Sequence, residues 1–208
     1  HNTFVGNSAA DGMVEGSYNI AIGSDALGGA KDGTADASQF NIFIGVNSGN
    51  GAWVTAVSQY NIGIGHYTLD GAMNGAIHNT GVGHQALSAI TTGDYNTAFG
   101  STALYNTSNG EQNVAMGYKA LFTNSTGDNN VAIGNVALHT NASGDNNTAV
   151  GTTSGYSVTT ASGSAFLGYQ AGRSVSTGND NIAIGNSAMY GGTVTGDNNI
   201  AIGVSAGD

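Results

Sequence analysis

The chain has 208 residues, 35 of them glycine, with neither proline nor cysteine. Thirteen acids against three bases (Lys31, Lys119 and Arg173) give a formal charge of -10, which disfavours phosphate backbones and anionic membranes as partners. Without cysteine there is no disulfide frame, thiolate metal site or catalytic thiol, and no apolar run is long enough to span a bilayer.

Read in chain order, one pentapeptide returns from end to end: Asn-x-x-x-Gly, starting at Asn2, Asn19, Asn41, Asn61, Asn79, Asn96, Asn113, Asn130, Asn147, Asn181 and Asn199. A variant copy starts at Ser164, and the commonest spacing is 17 residues. With the Asn as position 0, position +1 is Ile, Val or Thr except for Ala165, and +3 is always apolar. Position +2 is Ala, Gly or Phe, +4 is Gly in every copy, and +7 is Ala, Ser or Thr. A glycine near +14 is usually followed by an acid, as in Gly127-Asp128.

The β-branched run suits a pleated strand, the closing Gly a corner, and the Gly-Asp-Asn stretch a turn. Seventeen residues are too few for the common helical repeats. The unit therefore predicts an all-β parallel solenoid of about twelve coils, with two short strands and two turns in each. It forms one rod over 1–208, a segment of a longer fibre, with irregular spacers at 28–40 and 50–60. Stacked Asn residues form a side-chain amide ladder, as in cross-β assemblies.

Strand alternation separates +1 and +3 from +2. The larger +1 and +3 side chains are expected to fill the coil. The +2 face would then be an apolar strip that meets other chains: Phe4, Ala21, Phe43, Ala98, Ala115, Ala132, Ala149, Phe166, Ala183 and Ala201. The alternative puts +2 under a surface loop of its own chain.

The copies Ile20-Ala21-Ile22-Gly23, Val131-Ala132-Ile133-Gly134, Ile182-Ala183-Ile184-Gly185 and Ile200-Ala201-Ile202-Gly203 resemble the core motif of trimeric autotransporter adhesin heads. Those heads are left-handed parallel β-rolls that bind host matrix or cells. The longer unit from Asn113 to Gly127 looks more like repeats of phage tail fibres and bacterial fibre proteins. The resemblance implies a homotrimer on a virion appendage or cell surface. This unit is longer than the adhesin coil, and its Asn directly precedes the aliphatic residue.

Several residues are candidate sites. Asp94, Glu111, Asp128 and Asp145 recur at one turn position, where a carboxylate line could gather Ca²⁺; as plain turn formers they need no metal. His66 and His84 share +5 and read as corner residues. Tyr18, Phe40, Tyr60 and Tyr95 precede the repeat Asn, where burial at the coil edge competes with exposure to sugar rings. Lys31, Trp53 and Tyr60, in or beside the irregular spacers, form the possible ligand patch. Sequons at Asn106, Asn124, Asn141 and Asn146 follow from composition. No carboxylate pair flanks a cleft and no nucleophile elbow occurs, so neither catalysis nor a cofactor is expected. The sequence reads as a structural and adhesive fibre segment that contacts a receptor or glycan. A monomeric or end-to-end stacked architectural filament is the alternative.

Overall fold

A computed structural model describes residues 1–13, 15–29, 37–53 and 56–208. It is a parallel β-solenoid of about eleven turns, with no α-helix among the described residues. Each coil contributes one three-residue strand at +1 to +3. These are β1 (Thr3–Val5), β2 (Ile20–Ile22), β3 (Ile42–Ile44), β4 (Ile62–Ile64), β5 (Thr80–Val82), β6 (Thr97–Phe99), β7 (Val114–Met116), β8 (Val131–Ile133), β9 (Thr148–Val150), β10 (Ala165–Leu167), β11 (Ile182–Ile184) and β12 (Ile200–Ile202). They pair in sequence order, each column on itself, as in Ala115↔Ala132 and Ala132↔Ala149.

The second strand expected in each coil is replaced by a turn. Positions +6 and +8 are left-handed in most coils, for example Lys119 (φ 52) with Leu121 (φ 53) and Val136 (φ 50) with Leu138 (φ 47). These turns still stack. The +8 N–H donates to the +7 carbonyl of the following coil, as from Leu104 to Ala120 at 3.0 Å and from Leu121 to Ala137 at 2.9 Å. Left-handed residues break strand alternation, so the adjacent +7 and +8 side chains can both point inward; Ala103 with Leu104 and Ala120 with Leu121 are fully buried.

The assignment of faces on the strand is the reverse of the sequence expectation. Ala21, Phe43, Ala98, Ala115, Ala132, Ala149, Phe166 and Ala183 lie inside the coil, and Ala201 is also buried. Only Phe4, in the first coil, is exposed among the proposed contact residues. The reason is volume. Leucine at +8 occupies most of the thin interior and leaves room only for Ala or Gly at +2. Where +2 is Phe43 or Phe166, +8 is Gly49 or Gly172, and a Cβ on either glycine would come within 2.8 Å or 2.1 Å of the ring. The +2 column is small because it is crowded from within.

The buried Asn column is a two-sided clamp. Asn113 Oδ1 accepts from the backbone N–H of Asn130 at 2.9 Å and from its side-chain amide at 3.2 Å. Asn130 Nδ2 also donates across its own coil to the Gly144 carbonyl at 2.7 Å. A carboxylate could accept but not donate, and it would carry charge into the core. At +4, glycine φ values are near +135° in consecutive coils, and a Cβ on Gly117 would sit 2.5 Å from the Gly134 carbonyl oxygen. No side chain fits there.

Candidate binding surfaces

With +2 inside, +1 and +3 face out. Position +3 forms an aliphatic column along the rod: Ile22, Ile64, Phe99, Met116, Ile133, Leu167, Ile184 and Ile202 are all exposed. Beside it runs the +1 column of Ile, Val, Thr and Ala, mostly half-buried. Eleven rises make the strip roughly 50 Å long, and an apolar strip of that length on a soluble molecule is normally covered.

Two ring columns run along other edges. At -1, His1, Tyr18, Phe40, Tyr60, His78 and Tyr95 form one stack, with centroids 4.8–5.2 Å apart. From Tyr18 to Tyr95 the planes are within 8° of parallel. The residues are left-handed, as at Tyr18 (φ 60) and Tyr95 (φ 58), and exposed. Burial at the coil edge is therefore not their environment. Sequence reasoning noticed four of these rings but missed His1 and His78, which complete the series when histidine is counted as a ring.

The second column stands at +9 and was missed altogether. Tyr105, Phe122, His139 and Tyr156 stack at 5.1–5.3 Å. Arg173 continues the series as a planar cation, 5.6 Å from the Tyr156 ring and 5.4 Å from the Tyr190 ring. Its members from Tyr105 to Arg173 are half-buried. The signal was available as aromatic residues at the 17-residue period. Burial and the nearby Lys119 charge hold the His139 imidazole below the ordinary histidine pKa. Its buried Nδ1 has no hydrogen-bond partner among the described residues.

The remaining candidates are placed as follows. Trp53 is fully buried edge-on against Phe43, 5.7 Å between centroids, so it cannot belong to a surface ligand patch. Lys31 lies outside the described residues. Tyr60 stands in the exposed column, separate from Trp53 in burial. Asp94, Asp128 and Asp145 each accept a backbone N–H from the preceding coil, from Ile77, Glu111 and Asp128 at 2.7–2.8 Å. Glu111 is exposed. Among the described residues no group of three His, Asp or Glu side chains could hold a metal ion. His66 Nδ1 accepts from the Val46 N–H at 3.1 Å, whereas His84 meets Tyr67 edge-on. Asn124 and Asn141 are buried in a second amide ladder, 3.2 Å apart, and closed to modification. Burial pushes the Asp70 carboxyl up, against an opposing hydrogen bond from Ser88.

No family model, curated protein or solved structure matches this chain.

Proposed function

We propose that this chain is a rod segment of an extracellular fibre, on a virion or cell surface, in which three parallel copies pack through their +1 and +3 columns. The exposed aliphatic strip carries this reading. It gives each copy a straight apolar face, and the rigid rod supplies reach. Identical copies around one axis would present repeated weak contacts to a receptor or glycan and bind by avidity.

The sizes of the outward side chains favour copies aligned in parallel and in register. In three coils a large +3 side chain accompanies a smaller +1, Phe99 with Thr97, Met116 with Val114 and Leu167 with Ala165, while five coils carry Ile at both positions. Around an axis along the rod, +3 of one copy faces +1 of the next at the same level. In those three coils the two sizes then compensate. An antiparallel pair would match unrelated levels and lose that fit.

Light scattering on the intact chain is expected to give three times the 20.6 kDa chain mass. Ile133→Asp, in the middle of the strip, should release folded monomers. A wild-type chain that stays monomeric at high concentration contradicts the assembly and favours the purely architectural reading.

A further inference from the structure

We propose that the exposed ring column of coils 1–6 is a binding track for an extended, neutral, β-linked oligosaccharide, with one sugar for each coil. The proposal deepens the adhesive reading above and rests on it.

The pitch is the first reason. The rungs advance by 4.8–5.2 Å, close to the advance of one pyranose in an extended β-linked chain. Backbone hydrogen bonds set this spacing before any ligand arrives: Tyr60 N–H donates to Gln39 at 3.3 Å, His78 to Gln59 at 3.1 Å and Tyr95 to Ile77 at 3.1 Å. A track that is already ordered gives up little entropy on binding.

Chemistry is the second reason. Neighbouring rungs occupy the ring faces, so the exposed parts are ring edges and the hydroxyls of Tyr18, Tyr60 and Tyr95. Beside them, at -2, the side-chain amides of Gln39 and Gln59 have no hydrogen-bond partner among the described residues. An amide both donates and accepts, which suits a row of sugar hydroxyls, themselves donors and acceptors. Apolar edges alternating with polar groups match the mixed C–H and O–H surface of a sugar chain.

Charge is the third. The -2 and -1 pairs Ser17-Tyr18, Gln39-Phe40, Gln59-Tyr60 and Ile77-His78 contain no carboxylate; the last rung, Tyr95, has Asp94 at -2, with one oxygen taken up by the Ile77 N–H. In later coils the same columns hold Glu111, Asp128, Asp145, Asp180 and Asp197. The net charge of -10 repels an anionic glycan, so a neutral one fits. The +9 column is no equal, because it is half-buried and incorporates the Arg173 cation.

The test is calorimetric titration of the intact chain with neutral β-1,4-linked glucose and N-acetylglucosamine oligosaccharides of increasing length. Affinity should climb with each sugar up to about the six rungs and then level off. Tyr60→Ser, at the centre of the track, should weaken the hexasaccharide by roughly tenfold, whereas Tyr156→Ser in the other column leaves it unchanged. Gln39→Ala with Gln59→Ala keeps every ring and should also weaken binding. Circular dichroism and light scattering check that each variant remains folded and assembled. Glycan binding that is unaffected by Tyr60→Ser, or that shows no length dependence, overturns the track and leaves adhesion elsewhere standing. Failure of the wild-type chain to bind any oligosaccharide on a broad glycan array overturns the track together with the glycan form of the adhesive reading.

Discussion

In coils 1–6 the rings stand at -1 and are exposed, and in coils 2–5 they adjoin uncharged residues at -2. From coil 6 onward they stand at +9, are half-buried, and end with Arg173 between two tyrosines. The exchange takes place within coil 6, between Tyr95 and Tyr105. Both halves share one interior, built on the Asn column, small +2 residues, glycine at +4 and the inward pair at +7 and +8. The interior is therefore independent of where the rings stand. Stacking can brace the rod from either edge, and the edge chosen decides what the surface offers to a ligand.

The strongest challenge to that comparison is a change common to both halves. Gly45→Val and Gly117→Val should each abolish folding, at a cost above about 4 kcal/mol, because the added Cβ meets the next coil's carbonyl at 2.3 Å and 2.5 Å. Expression and denaturation midpoints would show it. If only one half were sensitive, the shared interior would be disproved.

Next comes the exchange of volume inside the coil. Phe166→Ala should cost about 3–5 kcal/mol. Gly172→Leu added to that variant should recover part of the loss, whereas Gly172→Leu alone should destabilise. The same cycle at Phe43 and Gly49 extends the test to the first half. Additive effects in urea denaturation would mean that the paired volumes are unrelated.

The ring columns should differ by less. Tyr156→Ala removes a stacked His139 and an Arg173 contact together, and is expected to cost about 1–2 kcal/mol. Tyr60→Ala, at an exposed rung, should cost about 1 kcal/mol or less. Equal losses in denaturant would remove the structural distinction between the two columns.

The smallest effect concerns pH. His139 has a lowered pKa in the folded chain, so the fold favours its neutral form. Stability that is complete above the ordinary histidine pKa of about 6.5 should fall as pH drops through that value toward the folded pKa. His139→Phe should flatten this part of the profile of melting temperature against pH. An unchanged slope would show that His139 titrates alike in the folded and unfolded chain.

Much of the architecture was legible because columns repeat. The Asn, Gly and +3 columns, read at their spacing, lead to a parallel solenoid. Which face of the strand lies inside was not legible from strand alternation, since alternation separates two faces without choosing between them. Residue size suggested the wrong choice: Ile at +1 and +3 looked like core, and Ala at +2 like contact. The correcting signal was the pairing of Phe43 with Gly49 and of Phe166 with Gly172, six residues apart within one coil. The +9 ring column escaped notice because it mixes Tyr, Phe, His and Arg, which are alike in planarity and unlike in class. The inward turn of Trp53 depends on packing against Phe43 in an irregular spacer, which no period announces.

The outward +3 column, aligned level by level between copies, is the central claim. The chain has no native cysteine, so a single spin label can be placed at Met116→Cys or, in a separate sample, at Leu167→Cys. Pulsed electron resonance on the assembled rod should give one short inter-chain distance, similar at both levels. A long distance at Leu167→Cys beside a short one at Met116→Cys would indicate antiparallel copies, and no inter-chain coupling at either level would contradict the account.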